Sequence, residues 1–441
     1  MSSQKPYRPR PISGFPEWLP EQRAIELKWI DSIRQHFERH GFCSIETPSV
    51  ETLDVLLAKG ETEKEIYTIN RLQADDHTDG ARLALHYDLT VPFARYVAQH
   101  FNELVFPFKR YQIQRCWRGE RPQAGRYREF CQCDIDIVDV ERASLHFDAE
   151  IPTIVYDALR SLEVTDFYIG ISNRKILHGY YQGLGIDDVA SVIRIVDKYD
   201  KIGQEGVLTM LQSQLGQSEK LSRQCTEIAH IRTPDMTFVD AVKALGVQSN
   251  LLDQGLDELA FLMDQLDDLP RGVILADMAI ARGWDYYTGT VYEGWLNEFP
   301  SIGTIVAGGR YDDLASSFIK KKLPGVRITI GLTRILGALL PENRLESGPK
   351  CPTHVLVILP NEEQRKNVVH TANLLRQRGF NTETYHEPAK LSHQLRYASK
   401  KGIPYVWFPP FDENGDHEVK DMVSRAQVSA NPETWTPGHN V

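Results

Sequence analysis

The stretch from Lys109 to Val138 alternates polar and apolar side chains, and this period of two constrains it to extended strands. Its second half divides into an apolar face and a polar face. The apolar face carries Cys131, Cys133, Ile135 and Ile137, and the other carries Phe130, Gln132, Asp134, Asp136 and Val138. Turn-compatible residues, including Pro122 and Gly125, separate the two halves. The stretch therefore predicts a long antiparallel hairpin with a basic tip.

The tip and the polar face of this hairpin suit ligands of different charge. Arg118, Arg121 and Arg126 lie in or beside the turn. Arginine suits phosphate because its planar guanidinium makes bidentate, charge-assisted hydrogen bonds and keeps its proton. The amide and carboxylates of the polar face suit a cationic or hydrogen-bonding small molecule. The alternative is a solvated hairpin of mixed surface charge, which the number of arginines, the aromatic Phe130 and the carboxylates on one face disfavour.

Length and composition limit the class of protein. A chain of 441 residues is long enough for two or three domains. No apolar run approaches the ~18–20 residues of a membrane span, and no apolar segment follows Lys5, Arg8 and Arg10, so neither a membrane protein nor a secretory signal is expected. A short transit peptide stays open as an alternative, although the proline-rich start is a poor amphipathic helix. The net charge of −10 argues against general coating of nucleic acid but allows a local basic site.

Cysteine usage indicates a reducing compartment. The six cysteines are scattered without a C-x-x-C pair, and Cys131 and Cys133 fall on the apolar strand face. Buried free thiols are therefore expected, rather than zinc ligands or disulfides. No bound metal is predicted from the protein's own side chains, and the protein is expected in the cytoplasm.

Periodicity divides the chain into four segments. Residues 1–170 include a predicted helix from Glu21 to His40 and the hairpin. Residues 171–268 are rich in helical patterns and carry no chemical motif, which indicates an inserted helical module. Strand patterns return in residues 269–341. A linker with several prolines then precedes residues 352–441, where strands and helices alternate as in a small α/β domain.

A junction between a predicted strand and a predicted helix lies at Asp88, Leu89 and Thr90. Pro92 falls in the first turn of the helix, a position that tolerates proline. Thr90 is the predicted N-cap, because its hydroxyl can accept a hydrogen bond from a backbone amide of the first turn. Asp88 therefore lies where a side chain can face a cleft rather than the core.

A polar and aromatic segment follows the strand patterns near residue 280. It reads R-G-W-D-Y-Y-T-G-T over residues 282–290. Arg282 could neutralise a phosphate, and the hydroxyls of Tyr286 and Tyr287 could bond a polar ligand. A glycine-rich surface loop with one structural tyrosine is the alternative.

Two later segments add glycine and a further arginine. Gly308 and Gly309 permit a close backbone approach, but their spacing does not match a phosphate-binding P-loop. Arg334 lies near a helix start, where the helix dipole opposes a cation, and this favours a ligand role over a stabilising one. No motif pairs a nucleophile with a base. The chain therefore favours positioning and charge neutralisation over covalent catalysis.

Together these segments resemble the histidyl-tRNA synthetases, a family of class II aminoacyl-tRNA synthetases. Arg118 to Phe130 resembles class II motif 2, Gly331 to Arg334 resembles motif 3, and the region of the first helix and Pro48 resembles motif 1. Arg282 to Glu293 (R-G-W-D-Y-Y-T-G-T-V-Y-E) is similar to a segment peculiar to the histidine enzymes, and Gly308 to Asp312 resembles their second signature. The resemblance covers nearly the whole chain.

The resemblance implies a fold and two sets of site residues. The fold is an α+β catalytic domain on an antiparallel sheet with flanking helices, a helical insertion, and a C-terminal α/β anticodon-binding domain. The residues implied for histidine are Asp88, Leu89, Thr90, Arg118, Gln132, Asp136, Arg282, Tyr286 and Tyr287. Those implied for ATP are Arg118, Glu120, Arg126, Phe130 and Arg334. Arg282 and Arg118 are implied to be catalytic.

The resemblance also implies the partners. They are L-histidine, the tRNA for histidine, ATP as a substrate with Mg²⁺, and a second copy of the chain in a homodimer. Three residues depart from the family pattern: His86, Cys131 and Thr333. The alternative is a histidine-binding regulatory paralogue that controls ATP phosphoribosyltransferase. Such proteins usually lack the anticodon-binding domain and have eroded signatures, whereas both are intact in this chain.

Overall fold

The structure is a computed structural model that describes residues 8–58, 65–71, 82–281, 286–342, 344–345, 348–410 and 415–438. The chain forms two compact units. The large unit comprises Met1–Glu17 and Lys28–Leu345, and the small unit comprises Trp18–Leu27 and Glu346–Val441. The finer boundaries of the four predicted segments stay predictions.

The described elements follow the chain in this order. The strands are β1 (Cys43–Ser44), β2 (Val50–Thr52), β3 (Thr68–Ile69), β4 (Leu83–Leu85), β5 (Phe108–Trp117), β6 (Glu129–Val138), β7 (Phe167–Asn173), β8 (Arg232–Thr233), β9 (Ile274–Asp277), β10 (Thr290–Leu296), β11 (Val306–Tyr311), β12 (Gly325–Gly331), β13 (Val355–Val357), β14 (Thr382–Thr384), β15 (Tyr405–Phe408), β16 (Glu418–Asp421) and β17 (Gln427–Ser429). The α-helices are α1 (Pro20–Arg39), α2 (Leu53–Leu57), α3 (Thr90–Gln99), α4 (His146–Ser161), α5 (Arg174–Gly183), α6 (Val189–Val196), α7 (Tyr199–Leu215), α8 (Glu219–Glu227), α9 (Thr237–Lys243), α10 (Asn250–Gln265), α11 (Leu332–Leu339), α12 (Arg365–Gln377) and α13 (Leu391–Lys401).

The large unit is built on a nine-stranded sheet in the order β1-β5-β6-β12-β11-β10-β7-β9-β8. Its central neighbours, from β5 across to β7, pair antiparallel. The flanks differ, because β1 pairs parallel with β5 and β7 pairs parallel with β9. The predicted α+β fold on an antiparallel sheet is confirmed, and the two flanks make that sheet mixed. A separate antiparallel sheet has the order β2-β4-β3.

The predicted hairpin is the pair β5 and β6. Their register runs without a bulge from Phe108 opposite Val138 to Trp117 opposite Glu129. The apolar face of β6 is buried as expected. Its polar face is buried as well, and Asp134 and Asp136 have no exposed surface. Two buried charges on one strand require partners, which the neighbouring strands supply.

Helix α3 packs its apolar stripe against the start of this hairpin. Phe93 and Val97 lie in one cluster with Phe108, Val138 and Tyr311. The helix begins at Thr90, so Thr90 is its first residue and not the predicted N-cap. Asp88 takes the capping role, since its Oδ1 accepts hydrogen bonds from the amides of Thr90 and Val91 at 3.2 and 3.1 Å. Asp88 lies two residues before Thr90, and an aspartate side chain can reach the backbone amides at that separation.

The segment between β7 and β9 is helical, as predicted. It holds α5 to α10, and α5 packs closely on α10 because Gly179 and Gly255 leave room for backbone contact. Two strands qualify this description. β7 continues to Asn173 in the main sheet, and β8 pairs antiparallel with β9.

The small unit contains a five-stranded sheet in the order β14-β13-β15-β16-β17. The pairs formed by β13 are parallel, and the remaining pairs are antiparallel. Helices α12 and α13 accompany this sheet. The small unit therefore has the predicted α/β arrangement.

Candidate active site

A cavity of about 660 Å³ lies in the large unit. It brings together predicted residues that are far apart in sequence. Those that line it are Asp88, Arg118, Glu120, Arg126, Phe130, Gln132, Tyr287 and Arg334. Arg282 lies outside the described residues. Leu89, Thr90, Asp136 and Tyr286 are not in the described lining, and the first three of these are buried.

The floor of the cavity is one face of the main sheet. In the register, Asp134 on β6 faces Thr329 on β12, and Thr329 faces Ala307 on β11. Thr329 and Ala307 line the cavity, as does Trp295 near the end of β10. Side chains at alternate positions share a face, so this row and its neighbours present one surface to a ligand.

The hairpin turn supplies the basic wall. The Arg118 guanidinium carbon lies 5.1 Å from the centre of the Phe130 ring, and its Nε donates to the carbonyl of Tyr87 at 3.0 Å. Arg126 pairs with Glu120 at 3.1 Å. A cation over an aromatic face is held without losing its remaining donors. Arg118 is therefore fixed in position while part of its guanidinium stays available to an anion.

Helix α11 carries Arg334 in its first turn. Its guanidinium donates to the carbonyl of Gly125 at 2.6 Å and to the carbonyl of Thr304. These two carbonyls offset the unfavourable helix dipole and hold the side chain against the hairpin turn. The adjacent Thr333 accepts a hydrogen bond from the Cys131 amide at 2.8 Å, so this departure from the family pattern joins α11 to β6.

Two buried ion pairs lie beneath this surface. Arg110 on β5 pairs with Asp136 at 2.7 Å, and Arg327 on β12 pairs with Asp134 at 2.5 Å. Tyr311 donates to Asp136 at 3.2 Å. Burial raises the pKa of Asp136, while the charges of Arg110 and Arg327 oppose that rise. Asp134, which has no role in the sequence analysis, is thus the partner of an arginine in the cavity wall.

Tyr286 and Tyr287 are held by ring packing, and His86 is held by backbone carbonyls. Burial raises the pKa of Tyr287 to about 12. Tyr286 packs on Tyr287 and on Tyr311, with ring centres 5.1 and 5.6 Å apart. His86 is buried, and its ring nitrogens lie 3.2 Å from the carbonyl of Pro48 and 2.7 Å from that of Arg115. His86 therefore anchors backbone rather than lining the cavity.

The glycine pair in β11 allows the close approach that its sequence predicts. A Cβ at Gly308 would lie 2.2 Å from the carbonyl oxygen of Arg327. At Gly309 it would lie 2.6 Å from the carbonyl oxygen of Thr290 and 2.7 Å from the Tyr287 ring. Gly309 therefore makes room for Tyr287 against the sheet.

The cavity also includes residues that the sequence analysis missed. Arg327, Lys201 and Trp295 line it. Arg327 had a detectable signal, because it stands between Val326 and Ile328 in a strand-like run and so falls on the polar face. Lys201 comes from α7, whose sequence carries no mark of a ligand site.

Two absences concern the described part of the chain. Within it, no group of His, Cys, Asp and Glu side chains could hold a metal ion. None of its helices combines the length and the apolar character that a membrane crossing requires.

Two family models match the chain. A model described as histidyl-tRNA synthetase matches residues 14–335, and a model described as anticodon binding domain matches residues 354–434. The first spans more than half of the chain and includes the whole cavity lining.

Individual relatives agree. A histidine–tRNA ligase of Thermobifida fusca is 58% identical over 99% of this chain and 100% of its own length. One of Micrococcus luteus is 45% identical over 97% of this chain and 96% of its own. The crystal structure of histidyl-tRNA synthetase from Nostoc sp. PCC 7120 is 36% identical, with a TM-score of 0.86 over 96% of this chain and 97% of its own. The chain belongs to the histidyl-tRNA synthetase family.

Proposed function

We propose that the chain is an ATP-dependent histidine–tRNA ligase. It activates L-histidine with ATP to give histidyl-adenylate and diphosphate, and then transfers histidine to the 3′ end of its tRNA. The observation that carries this proposal is the convergence of Arg118, Arg126 and Arg334 with Asp88 and Gln132 on one cavity. Such a site offers cations to a triphosphate and acceptors to an α-ammonium group.

ATP occupies the basic side of the cavity. Phe130 and Arg334 sandwich the adenine, Arg126 and Arg334 reach the outer phosphates, and Arg118 contacts the α-phosphate and the histidine carboxylate. The short bonds that fix Arg118 and Arg334 support this assignment, because a preorganised cation stabilises developing charge without reorganising.

Mg²⁺ accompanies ATP. It usually binds through one or two carboxylates together with substrate phosphates, so a full protein cage is not needed. Glu120 lines the cavity beside Arg126 and would supply one such carboxylate. The bound ion would neutralise phosphate charge.

Histidine occupies the other side. Asp88, Thr90 and Gln132 hold its α-amino group, with Leu89 as the buried residue between the first two. Asp136, Tyr286 and Tyr287 define the end of the pocket that takes the imidazole. The histidine carboxylate attacks the α-phosphorus, a P–O bond forms, and the bond to diphosphate breaks. Arg282 stabilises the charge of this step.

In the second step the terminal ribose of the tRNA attacks the histidyl carbonyl and AMP leaves. The small unit, where the anticodon-binding model matches, binds the tRNA at its anticodon end. We further propose that the active form is a homodimer in the cytoplasm. All six cysteines are free and most are buried, which suits a reducing compartment. Sedimentation of the purified chain and microscopy of a tagged copy test these two points.

Histidine-dependent exchange of labelled diphosphate into ATP tests the activity. Exchange with histidine, and its absence without histidine, is expected. A folded protein that does not exchange would refute the proposal and favour the regulatory paralogue. That alternative has limited support, because the structural neighbour named as an ATP phosphoribosyltransferase regulatory subunit/histidyl-tRNA synthetase, from Bacillus halodurans, is only 20% identical and shares the fold alone.

A further inference from the structure

We propose that Arg327 determines the charge form of the bound amino acid, committing the pocket to a histidine whose imidazole is neutral. The proposal rests on the proposed function. Arg327 is neither in the predicted site nor in the sets of residues that the family resemblance implies. It lies in the cavity wall and also reaches the groups beneath it.

Arg327 connects three elements. Its Nη2 pairs with Asp134 on β6 at 2.5 Å, and its Nη1 donates to the hydroxyl of Thr90 at the start of α3. In the strand register it stands directly opposite Asp136, which in turn stands opposite Arg110 on β5. Positive and negative side chains therefore alternate along this row of the sheet.

The buried charges of this row and of Asp134 cancel. Arg110 and Arg327 contribute two positive charges, and Asp134 and Asp136 contribute two negative charges, so the net charge is zero. Asp88 and Arg118, on the cavity side, match the ammonium and carboxylate of the amino acid backbone. Among these six described groups no charge is left over to balance a positive side chain, and an unbalanced charge is costly in a buried site.

The titratable groups that face Arg327 keep this balance near neutral pH. They are Asp134 and Asp136 on β6, Tyr286 and Tyr287 before β10, and Tyr311 on β11. Arg110 on β5 and Asp88 before α3 act in turn on Asp136 and on Tyr286. Burial raises the pKa of all three tyrosines, so they stay neutral. Burial alone lowers the pKa of Arg327, but Asp134, Tyr287 and Asp136 raise it well above its usual value. Acid can only protonate the carboxylates, which makes the pocket more positive and less suited to an imidazolium.

A donor and acceptor argument points the same way. The guanidinium of Arg327 has only donors, and so has an imidazolium, whereas a neutral imidazole has an acceptor nitrogen. A neutral ring can therefore lie beside Arg327 in the cavity wall, and a protonated ring is repelled.

The test is the KM for histidine in diphosphate exchange between pH 5.5 and 8. An imidazole has an ordinary pKa of ~6.5, so selection of the neutral form raises KM about tenfold for each pH unit below that value. Triazolylalanine, whose ring is far less basic, serves as the reference substrate and should show a flat KM. The ratio of the two KM values removes pH effects on the rest of the enzyme.

Three variants separate charge from structure. Arg327→Gln leaves a net charge of −1 among the inner groups, so the rise in KM at acid pH should disappear. Asp134→Asn leaves +1, and the rise should persist. The double variant D134N/R327Q restores zero and should recover the parental slope, with a KM raised at every pH because an amide replaces the guanidinium in the cavity wall. Circular dichroism reports whether each variant folds, and if Arg327→Gln does not, the comparison of parent, Asp134→Asn and the double variant decides.

Two results would overturn the proposal. One is a parental KM for histidine that does not change with pH relative to triazolylalanine. The other is a slope that stays the same in Arg327→Gln, or that the double variant fails to recover. Both differ from failure of the proposed function, in which the parent would show no histidine-dependent exchange.

Discussion

The nine-stranded sheet of the large unit and the five-stranded sheet of the small unit bury different kinds of side chain. The small-unit sheet buries an apolar core that includes Leu356, Val406 and Trp407. The face of the large-unit sheet that carries the cavity buries two ion pairs, Arg110–Asp136 and Arg327–Asp134. Between residues 348 and 438, the buried polar side chains that the structure describes are uncharged, such as Gln394, which bonds both backbone groups of Leu359.

The difference separates stability from function. Removing charges from water costs several kcal/mol per ion, and a hydrophobic replacement often stabilises as well as a buried pair does. A sheet selected only for stability could therefore dispense with such pairs, as the small-unit sheet does. Arg327 of one of the two pairs lines the cavity, and our proposal gives that pair a role toward the ligand.

The largest expected effect comes from removing an arginine of the cavity. An arginine of the small unit serves as its control. Arg118→Ala should lower histidine-dependent diphosphate exchange by about 10³-fold or more, because a cation at the reacting phosphate is lost. Arg378, which lies 5.3 Å from the Phe380 ring in the small unit, is the matched control. Arg378→Ala should leave exchange unchanged and cost at most ~1 kcal/mol of stability. Equal activities of the two variants would break the comparison.

A buried pair away from the cavity measures the cost of charge itself. Asp148 on α4 bonds Arg310 on β11 at 3.0 and 3.1 Å. Asp148→Ala should destabilise the large unit by about 3–5 kcal/mol, because it strands the guanidinium. The double variant Asp148→Leu with Arg310→Met should recover most of this loss. Urea unfolding, followed by pulse-labelling hydrogen exchange of β11, measures the stability of both variants. A double variant as unstable as the single one would contradict this expectation.

A truncation in the small unit should cost stability without touching chemistry. Leu356 has no exposed surface, and Leu356→Ala leaves a cavity worth about 2–5 kcal/mol. The same labelling experiment on Tyr405–Phe408 should show the loss. Diphosphate exchange should stay at the parental rate, and a parallel fall in exchange would show that the units are not energetically separate.

The smallest effect concerns pH. Burial favours a raised pKa for Glu383, but Lys401 at 2.7 Å and Tyr397 hold that pKa below its usual value. A carboxylate whose pKa is lower in the folded state stabilises above its unfolded value of ~4.3 and loses this contribution as pH falls. The parent should therefore lose the contribution of this pair to its stability below pH ~4.3, and Glu383→Gln should not show that loss. At neutral pH the change should be under ~1 kcal/mol, because the pair is partly exposed and screened.

The stability of the parent and of Glu383→Gln is measured by equilibrating each protein in urea at each pH. Hydrogen-exchange labelling is then carried out at one fixed pH. Thr353→Val is the control, since it removes a neutral partner of Glu383 at 3.3 Å. If Glu383→Gln and the parent lose stability equally between pH 4.5 and 3, the ion pair is not the cause.

Local patterns predicted much of the fold. The hairpin follows from a period of two, and the first helix follows from a period of 3.6. The same patterns could not supply the partner of Asp134, because Arg327 is 193 positions away and joins it only through the sheet order. Thr90 was assigned as a cap because the sequence does not show that Asp88 competes for the same amides. The sequence around Lys201 does not indicate a ligand site, because a lysine on a helix usually faces solvent.

The row of Arg110, Asp136 and Arg327 has a consequence for how the sheet assembles. A shift of one residue between strands sends every side chain to the opposite face. Such a shift in β6 would place Asp134 and Asp136 against the apolar layer and leave both arginines without counterions. A misregistered sheet therefore buries uncompensated ions, at a cost of several kcal/mol for each, whereas a slip in an apolar strand only exchanges one hydrophobic contact for another. The buried charges beneath the cavity thus also select the correct strand alignment while the chain folds.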